Sequence, residues 1–96
     1  MWVVTITVTV PPGASDDELR TALEDGAVPA VRALPGLRSA LWTVADDRTT
    51  GTGIYVFDDE AAARERAASH AVGSAAPGGA TVTDVRLLRV LVDVTT

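Results

Sequence analysis

From Trp2 to Val10 the side chains alternate, with Trp2, Val4, Ile6, Val8 and Val10 on one face and Val3, Thr5, Thr7 and Thr9 on the other. A strict period of two predicts a β-strand whose faces meet different surroundings. Pro11-Pro12-Gly13 ends it, and Ser15-Asp16-Asp17-Glu18 has capping-box spacing, in which the Ser15 hydroxyl and the Glu18 carboxylate satisfy orphan amides reciprocally. The helix that begins there has an apolar stripe of Leu19, Ala22, Leu23, Gly26, Ala30 and Leu34, with Val31 beside it, and leaves Arg20, Glu24 and Arg32 in water. Pro29 has no amide to offer the Asp25 carbonyl, so the helix is expected to kink or break near Gly26, in two pieces.

Leu34-Pro35-Gly36-Leu37 is a turn, and a second strand follows from Arg38 to Val44, with Ala40, Trp42 and Val44 opposite Ser39, Leu41 and Thr43. The polar Asp46–Gly51 segment makes a hairpin to a third strand from about Thr52 to Phe57. Asp58 or Asp59 opens a second helix, Glu60 to about Ser69, and the glycine-rich stretch Ala71–Ala80 reads as a flexible loop. A last strand spans about Thr81 to Val94. Its apolar parity changes from Val85 and Leu87 to Leu88, Val90, Val92 and Val94, which places a bulge at Leu87-Leu88.

Strand, helix, strand, strand, helix, strand is the ferredoxin-like βαββαβ order of the α+β class, a four-stranded antiparallel sheet with both helices on one face. Ile54 and Val56 suit the helix-packed side, which assigns Tyr55 and Phe57 to the open face beside Val3, Thr5, Thr7 and Thr9. Such a face is too apolar to leave in water, and a homodimer pairing two sheets is the simplest cover.

Composition narrows the chemistry. Ninety-six residues make one domain spanning the chain, and a domain of that size buries only roughly two-thirds of its unfolded surface, so help from a partner subunit is reasonable. With no cysteine and one histidine, thiolate catalysis, disulfides and cysteine- or multi-histidine metal sites within a chain are excluded, and no metal or other cofactor is expected. The net charge is −5 and the eight basic residues are all scattered arginines, which argues against nucleic-acid binding. MWVVTITVTV lacks the basic flank and cleavage site of a leader and alternates with threonine, so a cytoplasmic protein without membrane association is expected. Absence of lysine, asparagine and glutamine beside abundant alanine, valine, arginine and glycine suggests a GC-rich bacterial genome.

Pro35-Gly36-Leu37 opening strand two, Gly53-Ile54-Tyr55-Val56-Phe57-Asp58-Asp59-Glu60-Ala61-Ala62 joining strand three to helix two, and the closing run Val90-Leu91-Val92-Asp93-Val94 together resemble the dimeric α+β barrel superfamily, in its antibiotic-biosynthesis and monooxygenase-like branch. The resemblance covers nearly the whole chain. It implies two sheets packed face to face, with a pocket between sheet and helices or inside the barrel. Active members oxidise aromatic or polyphenolic substrates with dioxygen and without metal or flavin. Others cyclise or isomerise polyketides, degrade haem or have no demonstrated reaction.

Cofactor-free oxygenation needs a substrate that ionises, a group that favours its anion, and a dry aromatic pocket. His70, at the end of helix two where the dipole favours a protonated imidazole, is the only side chain titrating near neutrality; it is either the base or the partner of a substrate anion, or else a helix-end residue capping exposed carbonyls. Trp42, Tyr55 and Phe57, with Trp2, would form a wall for a planar ligand, or else a core or dimer interface. Arg86 and Arg89 would hold a phenolate or carboxylate, or pair with Asp84 and Asp93. Thr7, with Thr5 and Thr9, would line a polar floor or simply favour a strand. The Asp58-Asp59-Glu60 cluster reads as a helix start, since successive residues there point apart and build no cation cage. Haem degradation is weakened by the absence of asparagine. The expected function is therefore a small cofactor-independent monooxygenase acting on an aromatic or polyketide-type metabolite. The alternatives are a non-redox ligand-binding or cyclase-like accessory protein with the same pocket, or a stress-related barrel with a closed core.

Overall fold

The structure, a computed structural model, describes residues 1–96. Alternation in β1 (Trp2–Thr9) does what its period implies: Val4 and Ile6 are buried on one face while Thr5 and Thr7 lie on the other. The remaining strands are β2 (Leu37–Val44), β3 (Thr50–Phe57), the two-residue β4 (Ala75–Ala76) and β5 (Ala80–Arg89). They form one antiparallel sheet in the order β2-β3-β1-β5-β4. The fold is thus α+β as expected, but with five strands and not four. The extra strand comes from the glycine-rich segment expected to be a flexible loop. Its Gly73 amide donates to the Val82 carbonyl at 2.7 Å and its Ser74 carbonyl accepts from Val82 at 2.9 Å, so the loop folds back along β5. Positive φ at Gly78 (75°) and Gly79 (79°) makes that return turn.

The first helix begins on the capping box: the Glu18 amide donates to Ser15 Oγ at 3.1 Å and the Ser15 amide to Glu18 Oε1 at 3.5 Å. It does not break. An α-helical piece α1 (Asp16–Ala22) passes through a π-helical turn at Leu23–Ala27 into α2 (Val28–Arg32). In that turn the Val28 amide donates five residues back, to the Leu23 carbonyl. The wide turn accommodates Pro29, whose ring crowds the preceding turn and whose nitrogen donates nothing. The second helix, α3 (Glu60–Ala68), starts on Asp59, whose carboxylate accepts from the amides of Ala61 and Ala62 at 3.3 and 3.2 Å. The neighbouring acids have separate occupations, Asp58 with Arg38 at 3.4 Å and Glu60 with Arg64 at 2.9 Å.

Strand β3 faces the other way from the expectation. Tyr55 lies directly across from Val4 and Phe57 across from Trp2, so both aromatics point at the helices, 4% and 1% exposed, and Ile54 and Val56 take the open face beside Thr5 and Val3. Opposite α3 the sheet meets Ala62, Ala63 and Ala67, side chains too small to fill the layer. Large residues must come from the sheet to reach interior packing density, and Phe57 and Tyr55 supply them. Gly53, on the same face, lies directly beneath the Tyr55 ring.

The bulge in β5 is also displaced. Leu87 and Leu88 pair without interruption with Val4 and Val3, and the register shifts between Asp84, opposite Thr7, and Val82, opposite Val8, which leaves Thr83 as the extra residue. β5 stops at Arg89 and not at Val94, because its partner β1 starts at Trp2. One further bond, from the Val90 amide to the Met1 carbonyl at 3.0 Å, ends the ladder. No helix is long and apolar enough to cross a membrane.

Two stability predictions follow from these contacts. A Cβ at position 53 would stand 2.6 Å from the Tyr55 hydroxyl and 2.9 Å from its ring carbons. Gly53→Ala is therefore expected to cost about 1–3 kcal/mol by overpacking, with a changed tryptophan emission as the ring moves; an unshifted denaturation midpoint would contradict the packing described. Asp59→Ala should cost about 1 kcal/mol through the lost cap, whereas Asp58→Ala, which loses only an exposed ion pair, should stay within about 0.5 kcal/mol of the parent. Chemical denaturation of the two variants side by side tests the difference.

Candidate functional site

Glycine at positions 51 and 53 leaves the helix-facing side of β3 bare at one end, and the first helix spans that gap without filling it. The result is a cleft of about 720 Å³ between the sheet and the first helix. Ile6, Val8, Trp42 and Tyr55 form its floor; Leu19, Leu23 and Val31 form the opposite wall; Arg66 and His70 stand at the α3 end. The π turn contributes Glu24, Gly26 and Ala27, so the irregularity imposed by Pro29 shapes the cleft. At the rim, the Arg48 guanidinium bonds the Asp16 carboxylate and the Ala14 carbonyl, tying the β2–β3 hairpin to the helix start. That hydrogen bond and charge hold the Asp16 carboxyl below its usual range.

Among the polar side chains that line this largely apolar space, Tyr55 contacts both Trp42 and Arg66. Trp42 Nε1–H donates to the Tyr55 hydroxyl at 3.0 Å, and the two rings meet edge to face at 6.0 Å and 83°. An indole can only donate, so the Tyr55 oxygen is the acceptor and its own hydrogen has no acceptor within the chain. The Arg66 guanidinium lies over the Tyr55 ring at 4.5 Å, and its Nε is shielded from water without a partner.

The tautomer of His70 follows from its neighbour. The Ser69 hydroxyl donates to the Arg66 carbonyl at 2.6 Å and stands 2.8 Å from His70 Nδ1. With its single hydrogen committed, Ser69 accepts from Nδ1–H, which leaves Nε2 as the basic nitrogen. Burial, then the charge of Arg66, push the imidazole below its ordinary 6.5, opposed by a hydrogen bond with the Arg66 backbone. The helix end was expected to favour the protonated imidazole; burial and the neighbouring Arg66 cation act in the opposite direction.

Of the side chains expected to form a site, Trp42, Tyr55 and His70 come together in the cleft. Phe57, two residues along β3, is sealed in the core, and Trp2 lies away from the cleft under Arg64, 5.7 Å from its ring. Thr7 is on the opposite face of the sheet, bonded to Thr52 at 3.1 Å between hydroxyls, because its parity in β1 is that of Thr5 and not of Ile6. Arg86 also lies off the cleft. It stands across from Thr5 on that opposite face, 67% exposed, with Nε bonded to Asp84 at 3.0 Å, which is the ion-pair alternative. No three His, Asp or Glu side chains are placed to hold a metal ion. The sequence reading missed Arg66. Its signal was spacing, since Arg66 lies three residues after the buried Ala63 and four before His70 on one face of α3.

Comparison with known families extends what the geometry shows. A family described as "Putative mono-oxygenase ydhR" matches residues 2–96. No curated protein matches the chain. The α+β fold and the match across almost the full length agree, and the chain belongs to this mono-oxygenase family of the dimeric α+β barrel superfamily.

Proposed function

We propose that the chain is a cofactor-independent monooxygenase for an aromatic or polyketide-type metabolite, acting as a homodimer. The observation that carries the reading is one largely apolar cleft lined by His70, by Trp42 and by Tyr55, whose hydroxyl hydrogen has no acceptor within the chain. A closed-core structural protein would have no use for that space. In the proposed reaction His70 Nε2 takes a proton from an anthrone- or hydroquinone-like substrate, and the Tyr55 O–H donates to the oxyanion that forms. The electron-rich anion then reacts with dioxygen. For an anthrone, the ring CH₂ becomes C=O with one oxygen atom, and the two hydrogens and two electrons it gives up reduce the other to water, so the substrate is its own reductant. Desolvation by the apolar floor strengthens each of these polar contacts.

The dimer is motivated by the face opposite the cleft. Val3, Ile54 and Val56 lie there with Leu41 and Leu88, which are 50% and 47% exposed, and the Leu91, Val92 and Val94 side chains beyond β5 are 78–81% exposed. Apolar area on that scale favours a covering partner, and a second copy of the same face is self-complementary.

Oxygen uptake with anthrone and hydroquinone substrates tests the chemistry. Oxygen-dependent product is expected from the parent and at least 100-fold less, roughly, from His70→Ala. Turnover retained by the variant, or no product across the panel, would sink the reading; tight aromatic binding without oxygen uptake would put the non-redox, cyclase-like alternative in its place. The acid limb of the rate should have its midpoint below 6.5, matching the NMR titration of the imidazole. Because the folded state depresses this value, the native protein binds fewer protons than the unfolded chain. The contribution to stability is therefore intact above 6.5 and is lost as pH falls through the folded value, a slope that His70→Ala should remove. Sedimentation should give a dimer for the parent and a monomer for Ile54→Glu; a monomeric parent refutes the proposed assembly.

A further inference from the structure

We propose that Arg66 sets the charge specificity of the cleft, which selects an anionic aromatic ligand by seating its carboxylate or phenolate oxygens on the guanidinium beside the Tyr55 hydroxyl. The inference rests on the reading of the cleft as a ligand site, and adds the ligand's charge and the residue that reads it.

Arginine pairing isolates this side chain. Arg20, Arg38, Arg48, Arg64 and Arg86 each bond a carboxylate, whereas Arg66 bonds none. Arg32 and Arg89 are also without a carboxylate, but they are exposed and do not line the cleft. A cation held partly out of water ordinarily has a counter-charge. The acids that line the cleft do not serve: Asp16 is taken by Arg48, and Glu24 makes no bond to Arg66.

The contact Arg66 does make leaves its recognition groups free. The Arg66 guanidinium carbon lies 4.5 Å from the Tyr55 ring centroid, a cation–π contact that commits none of its N–H donors to a hydrogen bond, so they still call for acceptors. Nε is already shielded from water with nothing to bond. A carboxylate presents two oxygens in the plane the fork requires, and a phenolate presents one. Tyr55 Oη–H adds a donor next to the stacked cation, so an oxyanion there meets two donors, whereas a neutral amide brings hydrogens as well as an acceptor. The chain carries a net −5, so its overall field repels anions and a local cation is needed to admit one. An Arg66 charge that nothing neutralises is also felt by His70, whose acidity it increases. A bound anion would cancel that influence.

The probes are 2-naphthoate and its neutral counterpart 2-naphthamide, titrated by calorimetry at about pH 8, where the carboxylate is charged. The parent should bind naphthoate about tenfold more tightly or better, and Arg66→Gln should abolish the preference, lowering naphthoate affinity by that factor relative to naphthamide. Equal binding of the two probes by the parent, or a preference that survives Arg66→Gln, overturns the role of Arg66 and leaves the cleft as a ligand site. Binding of neither probe overturns both. A second measurement needs no variant: naphthoate should raise the His70 titration midpoint and naphthamide should not. An unmoved midpoint on saturation with naphthoate counts against the inference as directly as lost selectivity.

Discussion

The pairing of Tyr55 with Val4 across β1 and β3 fixes which side of β3 faces the helices, and the interior depends on it. Side chains on a strand alternate strictly, so this one register sends Tyr55 and Phe57 inward and Ile54 and Val56 outward. A slip by one residue would offer Ile54 and Val56 to an alanine face that they fill poorly. It would also carry Gly51 and Gly53 away from the helix-facing side, and with them the bare floor of the cleft. The buried core and the empty space beside it are therefore two results of one parity.

Packing and vacancy divide the inner face along its length. At the α3 end small helix residues meet large strand residues and the layer closes around Phe57, Val4 and Val82, all at most 1% exposed. At the other end glycines on the strand meet a helix widened by a π turn, and the layer stays open. Tyr55 stands at the boundary, its ring buried between Arg66 and Gly53 and its hydroxyl held by Trp42. Its position is fixed by packing on three sides, which is the condition for a donor to be pre-aimed instead of reorganised when charge develops.

Much of this was legible in the residues. Alternation in Trp2–Val10, the Ser15–Glu18 box and an aspartate cap on the second helix depend on neighbours in sequence, and those elements are present, the cap falling to Asp59 of the two candidates Asp58 and Asp59. What failed was set by partners distant in sequence. The inward parity of β3 follows from the alanines of α3, and the position of the bulge at Thr83 from what β1 offers opposite it. β5 ends where β1 begins, although Val90, Val92 and Val94 continue the apolar pattern. In the cleft, the aromatics and the histidine were recognisable by type. Arg66 was not, because an arginine in an alanine-rich helix looks like a solvated one until the ring that covers it is located. Arg86 illustrates the converse, a strand arginine that suggested a site and is bonded to Asp84.

Alternation also couples the two faces. Ile54 and Val56 on the outer side share a backbone with Gly53, Tyr55 and Phe57 on the inner side, so anything that covers the outer face restrains the strand carrying the Tyr55 hydroxyl. In the proposed dimer a second sheet would do this without contributing a residue to the cleft. Its effect would be to hold β3 at a fixed twist and so to keep the Trp42–Tyr55 bond and the Arg66 stack in register. A monomer with the same residues has the same chemistry available but a less constrained strand presenting it. Since misplacement of a reacting group by about 1 Å can cost on the order of 100-fold in rate, association through a face remote from the cleft would act on catalysis through the stiffness of β3 alone.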